Sequence, residues 1–255
     1  MFLIIPIIEI RDGQAVRQVQ GVEGALYSTD PAALARIWRK ENAKVLHVVD
    51  KDSLSCGYSK NIDAIRAIAR AVDIPIEVSG GFCEYEQYEE LFNAGVFRVT
   101  VNAIGTSDAV VRQLLDKYMP QRVVGGFIAV AGKVLTAMAE PTETTAIDLG
   151  MRLKSCGISR VIYREIEIQS RSYVIDRETL KSFAQKTQLR VTTAGSVQNV
   201  QELWKIQELE QYGVDSILMG KSLYENRFPC QQLWRLVEAE ELSAIAHAAR
   251  NENVS

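Results

Sequence analysis

The chain is poor in the residues that build metal centres. It has two histidines, His47 and His247, among 255 residues, too few for a histidine-built zinc site. Its four cysteines, Cys56, Cys83, Cys156 and Cys230, are far apart and form no CxxC pair. That spacing offers no disulfide framework, so reduced thiols and a cytoplasmic location are expected. No apolar run reaches the roughly 18 residues needed to cross a bilayer, so no membrane association is expected. There is no strong excess of charge either. A net charge of −3 argues against broad nucleic-acid binding. The apolar start, residues 1–8, lacks a basic lead and a cleavage pattern, and reads as a first strand rather than a signal peptide. No low-complexity stretch, linker or charge block interrupts the chain, and residues 1–255 are expected to form a single domain.

What is present is an ordinary soluble composition, 47% hydrophobic and 24% charged, arranged in a repeated phrase. LRVTTAGS (189–196) and DSILMGKS (215–222) are short apolar runs that stop at a glycine, with a helical pattern between them, residues 197–212, closed by Gly213. IPIEVSGG (74–81) and FRVTVNA (97–103) repeat it around a helical segment at 84–93, with Gly95 just past its end. Gly80 and Ala194 are 114 residues apart, and Asn102 and Gly220 are 118 apart. One unit therefore occurs twice, about half the chain apart. Apolar runs without clean alternation suit parallel strands buried on both faces.

The remaining segments complete the pattern. Strands are expected at 2–10, 44–50, 74–79, 97–102, 122–130, 160–165, 189–194 and 215–219. A ribbon at 15–21 is expected to cross the mouth. Helices are expected at 31–42, 61–72, 84–93, 108–118, 142–155, 176–187, 197–212, 220–228 and 231–249. Asp30 with Pro31 forms a helix start, as Ser107 or Asp108 does for a later one. Residues 51–59 read as a polar loop. Eight strands, each followed by a helix and the last by two, in one chain of this length predict an α/β fold, the (β/α)8 TIM barrel built as a half-barrel duplication. A doubly wound sheet is the competing arrangement.

Barrels carry their chemistry at the C-terminal ends of the strands. Here those ends are Glu9, Asp50, Ser79-Gly80-Gly81, Asn102, Ala129, Arg164-Glu165, Thr193-Ala194-Gly195 and Met219-Gly220-Lys221. Gly80 and Gly81 with Asn102 form one candidate anion nest, and Gly195 with Gly220 and Lys221 a second, because glycine turns before helices leave N–H groups free to meet a phosphate. Glu9 is the best candidate for acid–base work, although a carboxylate there could equally bind a sugar hydroxyl or pair with Arg17 or Arg164. Asp50 could orient a ligand or anchor a loop. His47, flanked by Leu46 and Val48, reads as a packed core histidine rather than a catalyst.

IIPIIEIRDG (4–13), AVRQVQG (15–21), LHVVD (46–50), VSGG (78–81) and MGKSLYE (219–225) together resemble the ProFAR isomerases of histidine biosynthesis, along nearly the whole chain and in order. The resemblance implies a metal-free, cofactor-free barrel with two phosphate sites. It also implies an Amadori aldose-to-ketose isomerisation of a bis-phosphorylated aminosugar–imidazole compound. Arg17, within the RQVQG segment, is carried over as a substrate-binding residue. In that family an aspartate ending strand one is the base and another ending strand five is the acid. This chain has Glu9 and, at the end of its fifth strand, Ala129. Arg164, Gln169, Ser170 and Arg171 stand where strand six usually carries threonine and aspartate-glycine-threonine, and the glycine-tryptophan after strand five is replaced within KVLTAMA (133–139). The expected function is a phosphosugar barrel of this type, impaired in the family reaction. The alternative is a non-catalytic or repurposed phosphosugar-binding barrel, or a partner subunit.

Overall fold

The computed structural model describes residues 2–16, 29–136, 140–167, 172–195 and 197–225. The chain opens with strand β1 (Leu3–Arg11), a two-residue β2 (Gln14–Ala15) and helix α1 (Pro31–Lys40). Then follow β3 (Leu46–Asp50), α2 (Ser53–Cys56), α3 (Ile62–Ala71), β4 (Ile76–Ser79), α4 (Tyr85–Asn93), β5 (Arg98–Asn102) and α5 (Asp108–Lys117). The second half contains β6 (Val123–Val130), β7 (Lys133–Leu135), β8 (Pro141–Thr145), α6 (Ala146–Ser155), β9 (Arg160–Ile166) and β10 (Tyr173–Val174). It finishes with α7 (Arg177–Thr187), β11 (Arg190–Ala194), α8 (Val200–Gln207), β12 (Val214–Met219) and α9 (Lys221–Tyr224).

Eight of these strands pair in parallel in the order β9-β11-β12-β1-β3-β4-β5-β6, and β6 returns to β9. The sheet is a closed barrel with helices around it, the (β/α)8 arrangement. The helix starts follow from local chemistry. Asp30 accepts from Ala32 N at 2.9 Å, with Pro31 in the first turn, Ser107 accepts from Val110 N at 3.3 Å, and Asp176 accepts from Glu178 N at 3.0 Å.

Two small ribbons were not expected. Residues 142–145, read as the start of a helix, instead form β8, which pairs with β7 as an antiparallel hairpin. Thr142, Thr144 and Thr145 are β-branched, which suits an extended ribbon; α6 begins one residue later, capped by Thr145, which accepts from Asp148 N. The two-residue β10 pairs back on β9. The segment 51–59 contains one turn of helix, α2. The expected helix at 231–249, and most of the expected ribbon at 15–21, lie outside the described residues.

Side-chain direction alternates along each barrel strand, and the core divides accordingly. Ile5, Val124, Ile162, Ala194 and Leu218, with Leu3, Ile7 and Val45, fill the barrel interior. Ile8, Ile10, Val48, Val78, Val99, Val101, Phe127, Ala129, Val161 and Tyr163 belong to the larger layer between barrel and helices.

The strand register fixes the internal repeat residue by residue. On β1 and β2, Ile10 pairs with Ala15 and Arg11 with Gln14; on β6 and β7, Ala129 pairs with Val134 and Val130 with Lys133. Each of these residues is 119 positions from its counterpart. The turns match too: Asp12 and Gly13 have φ of 48° and 74°, Ala131 and Gly132 have 48° and 75°. Further round, Ser79 matches Ala194, and Gly80 matches Gly195 rather than Ala194. Asn102 matches Gly220, as the sequence spacing suggested.

Candidate active site at the barrel mouth

Glu9 has the parity of Leu3, Ile5 and Ile7, and so points into the barrel near the C-terminal end of β1. Its side chain is one-fifth exposed and its Oε1 lies 3.5 Å from Lys51 Nζ. The residue at the same place in the second half is Ile128, since Glu9 pairs with Val49 as Ile128 pairs with Arg164. Ala129, read from the sequence as the strand-five end of the site, faces the opposite way. It is fully buried in the layer beneath the helices. The strand VVGGFIAV has no polar alternation to give its facing away, and the reading slipped by one residue; one residue along a strand changes the face.

Glu165 also points outward. Its carboxylate accepts from Gly132 N at 3.2 Å and from the Tyr163 hydroxyl at 3.0 Å, and it ties down the β6–β7 turn. Asp50 does the matching task in the first half. Its carboxylate accepts from Asp52 N, Ser53 N, the Ser59 hydroxyl and Asn61 Nδ2 at 2.6–3.2 Å. Asn61 Oδ1 in turn accepts from Gly13 N. Of the two roles open to Asp50, anchoring the loop is the one its hydrogen bonds perform. Glu167 lies just beyond β9, with its N–H on Ser172 O.

A cavity of about 1040 Å3 opens over β4, β5, β6 and β9. Gly80, Gly81 and Asn102 line it, together with Ile128, Arg164 and Thr100. Thr100 is 4% exposed and its Oγ1 has no hydrogen-bond partner. Glu9, Asp50, Gly195, Gly220 and Lys221 are not among the described residues of this wall. Gly195 sits under Ile175. Gly220 precedes the single turn α9, and Lys221 is mostly exposed, 3.7 Å from Glu225. Arg17 lies outside the described residues.

The first nest is closed on itself. Gly81 N donates to Ser53 Oγ at 3.0 Å, and Ile104 N and Gly105 N donate to Asn102 Oδ1 at 3.2 and 3.3 Å. Two side-chain oxygens thus accept from these three backbone N–H groups. A Cβ at Gly81 would collide with the Ser53 carbonyl oxygen, so the turn needs glycine there.

Beneath this cavity runs a polar chain that sequence reasoning missed. Arg98 Nη1 donates to Glu77 Oε2 at 3.0 Å, Glu77 Oε1 lies 2.8 Å from His47 Nδ1, and His47 Nε2 lies 2.9 Å from Ser79 Oγ. Arg164 Nη2 reaches the same Nε2 at 3.3 Å. His47, expected to be a packed core histidine, is fully buried yet engaged at both ring nitrogens. Burial pushes the imidazole below its ordinary pKa; the Glu77 hydrogen bond and charge work against this, while Arg164 and Arg98 add to it. Burial pushes the Glu77 carboxyl up, but the hydrogen bonds and charges of His47 and Arg98 outweigh it and leave the pKa at about 2. The only sequence signal for this chain was the presence of polar residues at alternate positions on adjacent strands.

Among the described residues no cluster of three metal-ligating side chains occurs, and no helix is long and apolar enough to cross a membrane. A family model described as histidine biosynthesis protein matches residues 3–229. A protein of Chloroherpeton thalassium is 39% identical over 240 residues, covering 92% of each chain, and one of Chlorobaculum parvum is 39% identical over 242 residues, covering 93% of each. Both are named isomerases of the imidazole-4-carboxamide compound that carries 5-phosphoribosyl and 5-phosphoribosylamino groups. With its closed barrel, its register-matched halves and this match over most of its length, the chain belongs to the histidine biosynthesis protein family and, within it, to the ProFAR isomerases.

Proposed function

We propose that this barrel binds a bis-phosphorylated aminosugar–imidazole compound across its mouth and carries out the aldose-to-ketose isomerisation slowly, with Glu9 as its base. The observation that carries the reading is the pair Glu9 and Ile128: one inward carboxylate is kept and its counterpart is an aliphatic side chain. In the family reaction a base takes a proton from the sugar carbon while an acid opens the furanose ring. Glu9 retains a carboxylate for the first step. Ile128 has no proton to give, and Glu165 is turned away with its carboxylate committed to Gly132 and Tyr163. Losing a general acid slows such reactions by roughly 10²–10⁴-fold.

Under this proposal one phosphate displaces Asn102 Oδ1 and Ser53 Oγ from the amides of Ile104, Gly105 and Gly81. The other binds at Gly195, Gly220 and Lys221, with Arg17 as a further ligand-binding residue. The first exchange lowers affinity, because internal acceptors compete with the ligand. The same feature supports the second reading, a phosphosugar-binding barrel without turnover. Steady-state isomerisation of the compound named for the relatives tests the proposal, measured for the wild type and for Ile128→Asp. Slow wild-type turnover that rises in the variant supports it. Binding without turnover in either protein leaves the second reading. Turnover at the ordinary rates of the family in the wild type refutes the impairment.

A further inference from the structure

Ser79, His47 and Glu77 stand in the order and spacing of a nucleophile, its base and the carboxylate that orients the base: 2.9 Å from Ser79 Oγ to His47 Nε2 and 2.8 Å from His47 Nδ1 to Glu77 Oε1. The tautomer follows from chemistry. An arginine can only donate, and Arg164 Nη2 meets Nε2 at 3.3 Å. That nitrogen therefore carries no proton, and Nδ1–H donates to Glu77. This is the form in which the imidazole can accept the Ser79 proton. Burial and the two arginines hold the ring neutral, and the paired Glu77 stays ionised.

The fold does not require the constellation. At the matching positions of the second half, the register places Ile162, Thr192 and Ala194; Thr192 Oγ1 there bonds with Arg160 and Ser216, with no imidazole and no reachable hydroxyl at the Ser79 position. Nor is the site sealed. Ser79 and Arg164 line the mouth cavity, while His47 and Glu77 lie below them. The arrangement has a dry, fixed base and a reachable hydroxyl. Beside the hydroxyl it has a guanidinium suited to a developing negative charge. A buried polar relay serving only stability needs no open end.

We infer that Ser79 is the nucleophile of a second, acyl-transferring activity in this barrel, taking small carboxylic esters that fit the mouth cavity. Ser79 Oγ bonds to the ester carbonyl carbon as its proton passes to His47 Nε2, and Arg164 holds the oxygen that becomes negative. The C–O bond to the alcohol breaks and the departing oxygen takes the proton from Nε2, leaving an acyl-serine. A water molecule then attacks this ester and gives a proton to Nε2. The acid leaves, and the proton returns to Ser79. Glu77 orients the ring throughout and stays ionised. Ile128 and Ile166 offer an apolar wall for the acyl chain.

The experiment uses the full chain, a fluorophosphonate probe and 4-nitrophenyl acetate, with neither phosphate nor isomerase substrate present, so it is independent of the isomerase reading. Intact mass and peptide mapping should show one adduct on Ser79, formed as its Oγ displaces fluoride. Ser79→Ala should give no adduct and no ester turnover above buffer. His47→Gln should slow labelling by about 10²-fold or more, and Glu77→Gln is read in the same way if His47→Gln does not fold. A folded wild-type protein unmodified at Ser79 overturns the inference. So does labelling at Ser79 that proceeds as fast in the folded His47 or Glu77 variant.

Discussion

Glu9 and Ile128 occupy one position twice, 119 residues apart, inside the two halves of the barrel. One is a carboxylate and the other an aliphatic side chain, so under the proposed function the mouth keeps half of a two-carboxylate mechanism.

Under the proposed function, Ile128→Asp should raise isomerase turnover by at least about tenfold, since a proton donor there would recover part of the roughly 10²–10⁴-fold that a general acid contributes. Ala129→Asp is the contrasting change. It places a carboxylate in the sealed layer beneath the helices, where a buried unpaired charge costs several kcal/mol. We expect it to lower stability by at least about 3 kcal/mol, seen as a fall in the urea midpoint, with no gain in turnover.

Replacing Asn102 by glycine or alanine removes the oxygen that accepts from Ile104 N and Gly105 N. Inorganic phosphate should then bind more tightly at the first nest. Titration calorimetry at low ionic strength, or amide shifts of residues 104 and 105, would register the change. An unchanged affinity would mean that this nest is not an anion site.

Asp50→Ala removes the acceptor of four hydrogen bonds that hold residues 52–61. A loss of roughly 2–4 kcal/mol is expected from the stranded donors. Asp50→Asn should lose less, because it keeps one acceptor oxygen. Equilibrium urea unfolding of the two variants measures the difference.

Acid should unfold the protein through the Glu77–His47 pair. Glu77 has a folded pKa of about 2 against an ordinary 4.5, so its contribution is present in full above 4.5 and is lost as the pH falls from there toward 2. His47 has a folded pKa below its ordinary 6.5, so falling pH favours the unfolded state, which takes up the proton first. Both act in the same direction. A Glu77→Gln variant should flatten the loss between pH 4.5 and 2 by an amount on the order of 3 kcal/mol; an acid-unfolding profile identical to the wild type would remove the pair from this role.

The eight barrel strands were legible because each is a short apolar run closed by a turn, and the caps at Asp30 and Ser107 act as their residue types imply. The extra strands β7, β8 and β10 were not legible. They are two to five residues long and held by pairing, β7 with β6, β8 with β7 and β10 with β9, which no local pattern announces. Facing was the harder quantity. Where a strand is apolar on both sides, as at Ile128 and Ala129, composition does not give its phase, and only the register with a neighbour does. The chain from Arg98 to Ser79 was hidden for a related reason. Its members lie on three adjacent strands and come together only when β3, β4 and β5 pair in register.

The barrel interior is uneven: His47, Glu77, Ser79 and Arg98 sit on β3, β4 and β5, and their counterparts on β9, β11 and β12 are Ile162, Thr192, Ala194 and Ser216. The second half carries instead the pair Arg160 and Asp215, bonded to Thr192 and Ser216, so a two-fold backbone encloses two differently arranged sets of charge. A ligand with similar groups at both ends would find two seats of like shape and unlike field, and the barrel would read it in one sense, head to one side and tail to the other.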